Sequence, residues 1–134
     1  MDQKVQKMNK RIINSENAYA AIGGYAQAIE VSNFSRLVYV SGQVPVTVKG
    51  ETPTDFRQQA MLVWKNIECQ LEVVGLTLSD IVKHTTYLSD RRYRDLNSEV
   101  RREVLGDHKA ALTVIITDVY DESWLLEVEV IAAV

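Results

Sequence analysis

The chain has 134 residues, of which 46% are hydrophobic and 25% charged, and its formal net charge is −3. This length suits a single domain with one core, and the composition is ordinary for a globular protein. The negative balance disfavours a protein that grips nucleic-acid backbone, because such proteins usually present a basic face.

The cysteine and histidine residues, and the lack of long apolar runs, further limit which class of protein this chain can be. The lone Cys69 cannot form an internal disulfide, which favours a reducing compartment. His84 and His108 stand far apart without carboxylates at ligand spacing, so we expect no metal site. No apolar run could span a bilayer, and residues 1–11 are basic but lack the apolar segment of a secretory signal. We therefore expect a cytoplasmic protein that does not contact a membrane.

The first third of the chain predicts short strands. Residues 1–134 are interpreted as one domain, with a polar and flexible segment at 1–10. Strands are predicted at 11–13 and 26–31, and the short connector 33–36 predicts a hairpin with the strand that follows it.

Two glycine-containing stretches are candidate ligand sites. Gly23-Gly24 permits a sharp turn that delivers Tyr25 at a strand start, either as a buried aromatic or as a pocket wall. The β-favouring run 37–40 ends at Ser41-Gly42. That ending indicates either an ordinary turn or a place where a small ligand can approach the main chain closely.

Two amphipathic helices are predicted. The first begins with Thr54 as its N-cap and ends at Gly75, with Met61 and Trp64 interpreted as core residues of its apolar stripe. The second covers 91–105 and ends at Gly106. Its arginines are interpreted as solvated charges that pair with acidic residues of the same helix. They are Arg91, Arg92, Arg94, Arg101 and Arg102.

Three further strands complete the prediction. The β-branched run 81–88 holds His84 as a structural or surface imidazole, and 112–116 has the composition of a buried strand. In the last strand, residues 124–131, alternation puts Glu127 and Glu129 on the face opposite the aliphatic side chains.

This order of elements predicts an α/β two-layer sandwich with both helices on one face of a mixed sheet. The other face is largely apolar and has no helices of its own, so we expect a partner subunit to cover it. Carboxylates in such an interface are costly unless they are hydrogen-bonded or functional, which makes Glu127 and Glu129 notable.

Several short motifs occur in a fixed order along the chain. They are 21–28, 38–45, Asn66, Gly75, 81–83, 88–90, Asn97 and 126–132. Together they resemble the Rid (reactive intermediate deaminase) family, also called YjgF, over residues 12–132. The resemblance implies a chorismate-mutase-like fold with a mixed six-stranded sheet, and a homotrimer with a metabolite-binding cleft between subunits.

The resemblance also implies a chemistry. The best-known members hydrolyse imines and enamines such as 2-aminoacrylate without a cofactor, and an arginine binds the substrate carboxylate. When the roles of these family residues are transferred to the matching positions of this sequence, Glu127 is the water-activating carboxylate and Tyr25 is the pocket tyrosine. Ser41-Gly42 is then the strand end that faces the ligand. Asn97 matches a motif asparagine whose part in the chemistry is left open.

One departure from the family pattern changes the expectation. The arginine position falls on Ala111 or Leu112, and neither residue can hold a carboxylate. Losing such a charge-assisted contact removes about 1.5–3 kcal/mol of binding. We therefore expect little 2-aminoacrylate deamination, unless Lys109 or an arginine of the second helix substitutes. The resemblance still implies that Ala111, Leu112 and Thr113 line the ligand-binding cleft.

Two functions remain open. The first is a divergent cofactor-free hydrolase of a C=N or enamine group that uses Glu127 and the Ser41-Gly42 amides. The second is a non-catalytic trimer that binds a small molecule or has a regulatory role. An endoribonuclease or translation inhibitor ranks below both, because the chain is acidic and lacks an aromatic and basic stripe.

Overall fold

The computed structural model describes residues 7–134, which form six strands and two α-helices. Short 3₁₀ turns precede β4 and α2. None of the helices in this part of the chain has the length and apolar character needed to cross a bilayer. The elements are β1 (Asn9–Ile13), β2 (Ala28–Ser32), β3 (Leu37–Gln43), α1 (Phe56–Val73), β4 (Ile81–Leu88), α2 (Arg94–Leu105), β5 (Ala111–Ile116) and β6 (Leu126–Ala133).

The strands form two sheets. β1 and β2 are an antiparallel ribbon, and the other four strands form a sheet in the order β3-β6-β4-β5. β4 and β5 run parallel, whereas β6 is antiparallel to both of its neighbours. A single bridge between Ala26 and Ala111 connects the segment before β2 to the larger sheet. The expected mixed sheet of six strands with two helices is confirmed, with its strands divided in this way.

The predicted hairpin across 33–36 is wrong, because β2 pairs with β1 and β3 pairs with β6. Asn33 has a left-handed backbone, with φ of 56°, which turns the chain away from the ribbon. Ser35 and Arg36 then donate backbone hydrogen bonds to the carbonyl oxygen of Val134, and this anchors the start of β3 beside the end of β6.

The first strand begins earlier in the chain than the sequence predicts. Asn9 and Lys10 belong to β1, although 1–10 was predicted to be flexible, and residues 1–6 lie outside the described residues. Pairing with β2 explains the order of Asn9 and Lys10, because the ribbon supplies the backbone hydrogen bonds that a free end lacks.

Helix α1 packs on the four-stranded sheet through the predicted apolar stripe. Its N-cap is Asp55 rather than Thr54, because Asp55 Oδ2 accepts a hydrogen bond from the Gln58 N–H at 3.1 Å. Trp64 is buried as predicted, but Met61 is 41% exposed, since it lies one position beside the buried row. That row comprises Phe56, Ala60, Val63, Trp64, Ile67 and Leu71.

Helix α2 is preceded by a 3₁₀ turn at Arg91–Tyr93, in which Asp90 accepts a hydrogen bond from the backbone N–H of Arg92. The Tyr93 ring stacks on Phe56 of α1, with centroids 4.6 Å apart, and this contact fixes the two helices together. The solvated-charge interpretation fails for Arg101, which is only 8% exposed.

His84 lies in the core between the sheet and α1, which decides between the two predicted roles in favour of a structural imidazole. It is 2% exposed, its ring meets Trp64 edge to face, and its Nδ1 has no hydrogen-bond partner among the described residues. Burial, with smaller contributions from the charges of Arg101, Lys83 and His108, lowers the pKa of His84 to about 3.

This burial predicts acid sensitivity. Between pH 6.5 and 3 the unfolded chain binds a proton on His84 that the folded chain does not, so stability falls as the pH drops through this range. We expect His84 to cost about 2 kcal/mol of unfolding free energy on going from pH 7.5 to pH 5. Urea denaturation at both pH values should show this loss in the wild type and a smaller one in His84→Leu. Equal pH dependence in the two proteins would contradict it.

Candidate functional site

The face of the four-stranded sheet that turns away from the helices is polar at its centre. Along β4, buried side chains alternate with Lys83, Thr85 and Tyr87, and along β6 they alternate with Glu127 and Glu129. The antiparallel register places Thr85 opposite Glu129 and Tyr87 opposite Glu127, so these side chains share one surface. We call this surface the open face.

A cavity of about 320 Å³ lies on the open face where β3, β6 and β4 meet. Its walls combine aromatic and aliphatic carbon with three hydroxyls, one ammonium and one carboxylate, which is a mixture able to bind a small polar metabolite. The lining residues are Tyr39, Val40, Ser41, Lys83, Thr85, Glu129, Val130 and Ile131.

Glu127 is held against Gly42 beside this cavity. A β-bulge between Val40 and Gln43 leaves Ser41 and Gly42 without partners in the register with β6. A Cβ at Gly42 would lie 2.7 Å from both Cδ and Oε2 of Glu127. The carboxylate therefore occupies the space that only glycine leaves open, and the predicted group of Ser41, Gly42 and Glu127 does come together.

Two short hydrogen bonds organise the polar side chains. Tyr87 OH donates to Glu129 Oε1 at 2.6 Å, and this bond, more than burial, raises the pKa of Tyr87. Lys83 Nζ donates to Thr113 Oγ1 at 2.7 Å. Burial lowers the pKa of Lys83, against the opposing effect of the Glu129 charge. Thr113, predicted to bind ligand, thus contacts the cavity through Lys83.

The remaining predicted residues lie at another corner of the fold. Tyr25 precedes Ala26, whose N–H donates to the Ala110 carbonyl at 3.1 Å, so Tyr25 lies near the start of β5. Asn97 is buried on α2 and lines a groove with Val114. Both residues are therefore on the β5 side of the sheet, away from Gly42 on β3.

The two candidate positions for the missing arginine point to opposite faces. Ala111 is opposite Lys83 on the open face, whereas Leu112 is opposite His84 on the helix face. Neither Ala111 nor Leu112 brings a charge to its position. Lys83 is the cation of the open face nearest to Ala111 in the strand register.

Arg101 is a helix arginine whose side chain reaches this corner. It donates to the Gly23 carbonyl at 2.9 Å, and Gly23 has a positive φ of 107°. Burial, and next the charge of Arg102, lowers the pKa of Arg101. Because its guanidinium is engaged with the backbone of the glycine turn, Arg101 positions the segment that leads to Tyr25.

Within one chain the predicted site residues therefore form two separate groups. Glu127 and Ala111 are two strands apart and four residues apart in register, which corresponds to about 16 Å at ideal spacings. Ser41, Gly42 and Glu127 form the first group, and Thr113 joins it through Lys83. Tyr25, Asn97, Ala111 and Leu112 form the second.

Sequence reasoning missed Lys83, Thr85, Tyr87 and Tyr39 as residues of the open face. The signal was present, because alternation along 81–88 puts Lys83, Thr85 and Tyr87 opposite the buried residues. Lys83 was included only as part of the family motif 81–83 and was not predicted to be a site residue. Among residues 7–134 no cluster of three or more histidine, cysteine or acidic side chains is placed to hold a metal ion.

Comparison with known proteins identifies the family. The family model described as endoribonuclease L-PSP matches residues 15–134. A RutC family protein of Pyrococcus horikoshii is 36% identical over 125 residues, covering 92% of this chain and 97% of its own. The chain therefore belongs to the endoribonuclease L-PSP family, which is the Rid/YjgF family indicated by its motifs.

Solved structures agree with this assignment. The Rid family protein YyfB of Yersinia pestis superposes with a TM-score of 0.80 at 26% identity, covering 94% of this chain and 99% of its own. TdcF of Escherichia coli, whose structure contains bound serine, gives a TM-score of 0.70 at 29% identity and covers 92% and 98% of the two chains. The name of TdcF assigns it provisionally as a reactive intermediate deaminase.

Proposed function

We propose that this protein hydrolyses the C=N bond of a small imine, or of the imine tautomer of an enamine, with Glu127 as the base that activates water. The observation that carries the proposal is the contact of the Glu127 carboxylate with Gly42, at a bulge where Ser41 and Gly42 have no partners in the register with β6. Relatives whose names refer to deamination support the same class of reaction.

The chemistry needs only groups that the chain supplies. Glu127 takes a proton from water while the water oxygen attacks the imine carbon, and the imine nitrogen takes up that proton, which gives a neutral carbinolamine. Glu127 then moves the proton of the new hydroxyl to the nitrogen, the C–N bond breaks, ammonia leaves, and the oxygen–carbon bond becomes a carbonyl. In this proposal the backbone N–H groups of Ser41 and Gly42 stabilise negative charge that develops during these steps. No cofactor is required.

The substrate of this proposal need not be 2-aminoacrylate. Ala111 and Leu112 offer no charge to a carboxylate, so a substrate without one suits the second group of residues better. The same observation favours a second candidate function, a protein that binds a metabolite in this site and does not turn it over.

The proposed site is formed between subunits of a homotrimer. Tyr39 is 72% exposed on the open face, and Leu37 and Ile115 of the same face are also exposed in the single chain. Exposed apolar side chains around the polar centre of this face favour its association with further copies. A neighbouring copy would also bring its Tyr25 and Ala111 toward Glu127, which the 16 Å separation at ideal spacings prevents within one chain.

We expect Glu127→Gln to lower turnover by about 10²-fold, because the amide cannot accept the proton from water. Glu72→Gln is the control, since it removes a carboxylate from an exposed position of α1 outside the cavity. It should remain within about threefold of the wild type. Ammonia release is measured with imines made in situ, either carboxylated ones from an amino-acid oxidase or carboxylate-free ones from an amine oxidase.

Equal rates for the wild type and Glu127→Gln would remove Glu127 from the mechanism. No turnover with either imine class, together with a ligand-induced rise in Tm, would favour the binding function instead. Sedimentation of the same samples tests the assembly, and a monomeric species would contradict a site shared between subunits.

A further inference from the structure

Lys83 is in an unusual position for a lysine, because it lines the cavity of the open face and its ammonium has no carboxylate partner. Its Nζ donates to the neutral hydroxyl of Thr113, and it forms no ion pair within the described residues. Lys65 provides the contrast, since it is exposed and pairs with Glu68 at 3.2 Å.

The electrostatic surroundings of the two lysines act in opposite directions. Burial lowers the pKa of Lys83, whereas the hydrogen bond and charge of Glu68 raise the pKa of Lys65. At a given pH, the fraction of molecules in which the side chain is a neutral amine is therefore larger for Lys83 than for Lys65. A neutral amine is the nucleophile that attacks carbonyl carbon.

We propose that Lys83 is a covalent site, at which its amine condenses with a small aldehyde or ketone in the cavity to form a Schiff base. The cavity has a volume of about 320 Å³ and places Tyr39 and Ile131 beside Lys83, so the carbon chain of a short carbonyl compound has apolar walls to contact. This activity goes beyond the hydrolysis proposed above and does not use Glu127.

The condensation balances with the groups that face Lys83. The amine nitrogen attacks the carbonyl carbon, and a proton moves from nitrogen to oxygen to give a carbinolamine. The C–O bond then breaks, the oxygen leaves as water after gaining a proton, and the C=N bond forms. Glu129 is the titratable cavity group that can relay these protons, because Tyr87 occupies only its Oε1. The hydroxyls of Ser41, Thr85 and Tyr39 complete the polar lining.

Reductive trapping tests the proposal on the intact protein. Propanal is added at neutral pH with sodium cyanoborohydride, which reduces the Schiff base to a stable secondary amine, and peptide mass mapping follows each lysine with time. We expect Lys83 to be propylated about tenfold faster than Lys65, since the cavity lysine is both less protonated and in contact with the bound aldehyde.

Two variants make the result specific. Lys83→Arg keeps the charge and a donor to Thr113 but has no nucleophilic amine. The fast phase of labelling, which is the propylation of residue 83, should therefore disappear, while Lys65 is labelled as before. Glu127→Gln should retain the fast phase, which separates this site from the proposed hydrolysis. Labelling of Lys83 at or below the rate of Lys65, or a fast phase that survives in Lys83→Arg, would overturn the proposal.

Discussion

Gly42→Ala is expected to abolish imine hydrolysis while leaving the fold intact. The new Cβ would lie 2.7 Å from Cδ and Oε2 of Glu127, which is closer than carbon and oxygen tolerate. Gly42 does not have a positive φ, so alanine is compatible with its backbone. The carboxylate is the movable partner, and we expect it to swing away from the bulge. Ammonia release should fall about 10²-fold, as for Glu127→Gln.

A double-mutant cycle identifies the cause. In a Glu127→Ala background the space beside residue 42 is empty. Adding Gly42→Ala there should leave the residual rate of ammonia release unchanged, and it should change the unfolding free energy by no more than about 0.5 kcal/mol. If Gly42→Ala alone retained wild-type turnover, the contact with Gly42 would not be what positions Glu127. If Gly42→Ala lowered both the Tm and the rate of ammonia release, the loss of activity would be due to misfolding instead.

Gln59→Leu is expected to cause a large loss of stability. Gln59 is 1% exposed, and its side chain joins α1 to the segment before β6. Nε2 donates to the carbonyls of Pro53 and Ser123 at 2.7 and 2.9 Å, and Oε1 accepts from the Leu125 N–H at 2.8 Å. Leucine would leave three backbone groups without partners, which costs roughly 3–5 kcal/mol.

Gln70→Leu is the matched control, because Gln70 belongs to the same helix but is exposed. It should change the unfolding free energy by less than about 0.5 kcal/mol. Urea denaturation of both variants at pH 7.5 gives the comparison. A loss below about 1 kcal/mol for Gln59→Leu would show that water replaces the amide on all three backbone groups.

The layers of this fold were predictable because the buried stripes have clear periods. The helical stripe of α1 and the alternation in β6 each arise from one local rule, and both are present in the structure. Strand pairing was not predictable locally. The hairpin across 33–36 failed because β3 pairs with β6, nearly a hundred residues away, and a short connector contains no information about that contact.

The candidate site was predictable in part for the same reason. Ser41, Gly42 and Glu127 follow from a strand ending and an alternating strand, together with motifs of the family. The role of Gly42 as space for a carboxylate required coordinates, because the bulge that aligns it with Glu127 depends on register. Arg101 was misassigned as a solvated charge, since its carbonyl partner Gly23 lies 78 positions away in the chain.

Strand β5 was expected to be buried, yet most of it is exposed at the margin of the sheet. Beyond the Ala26–Ala111 bridge, the backbone of Thr113–Ile116 has one neighbouring strand within residues 7–134, and three consecutive aliphatic side chains project from it. Such a margin can recruit a like segment from another molecule and start aggregation. Overproduction would then be the condition that endangers this protein, because strand addition between molecules becomes faster as the concentration of chains rises.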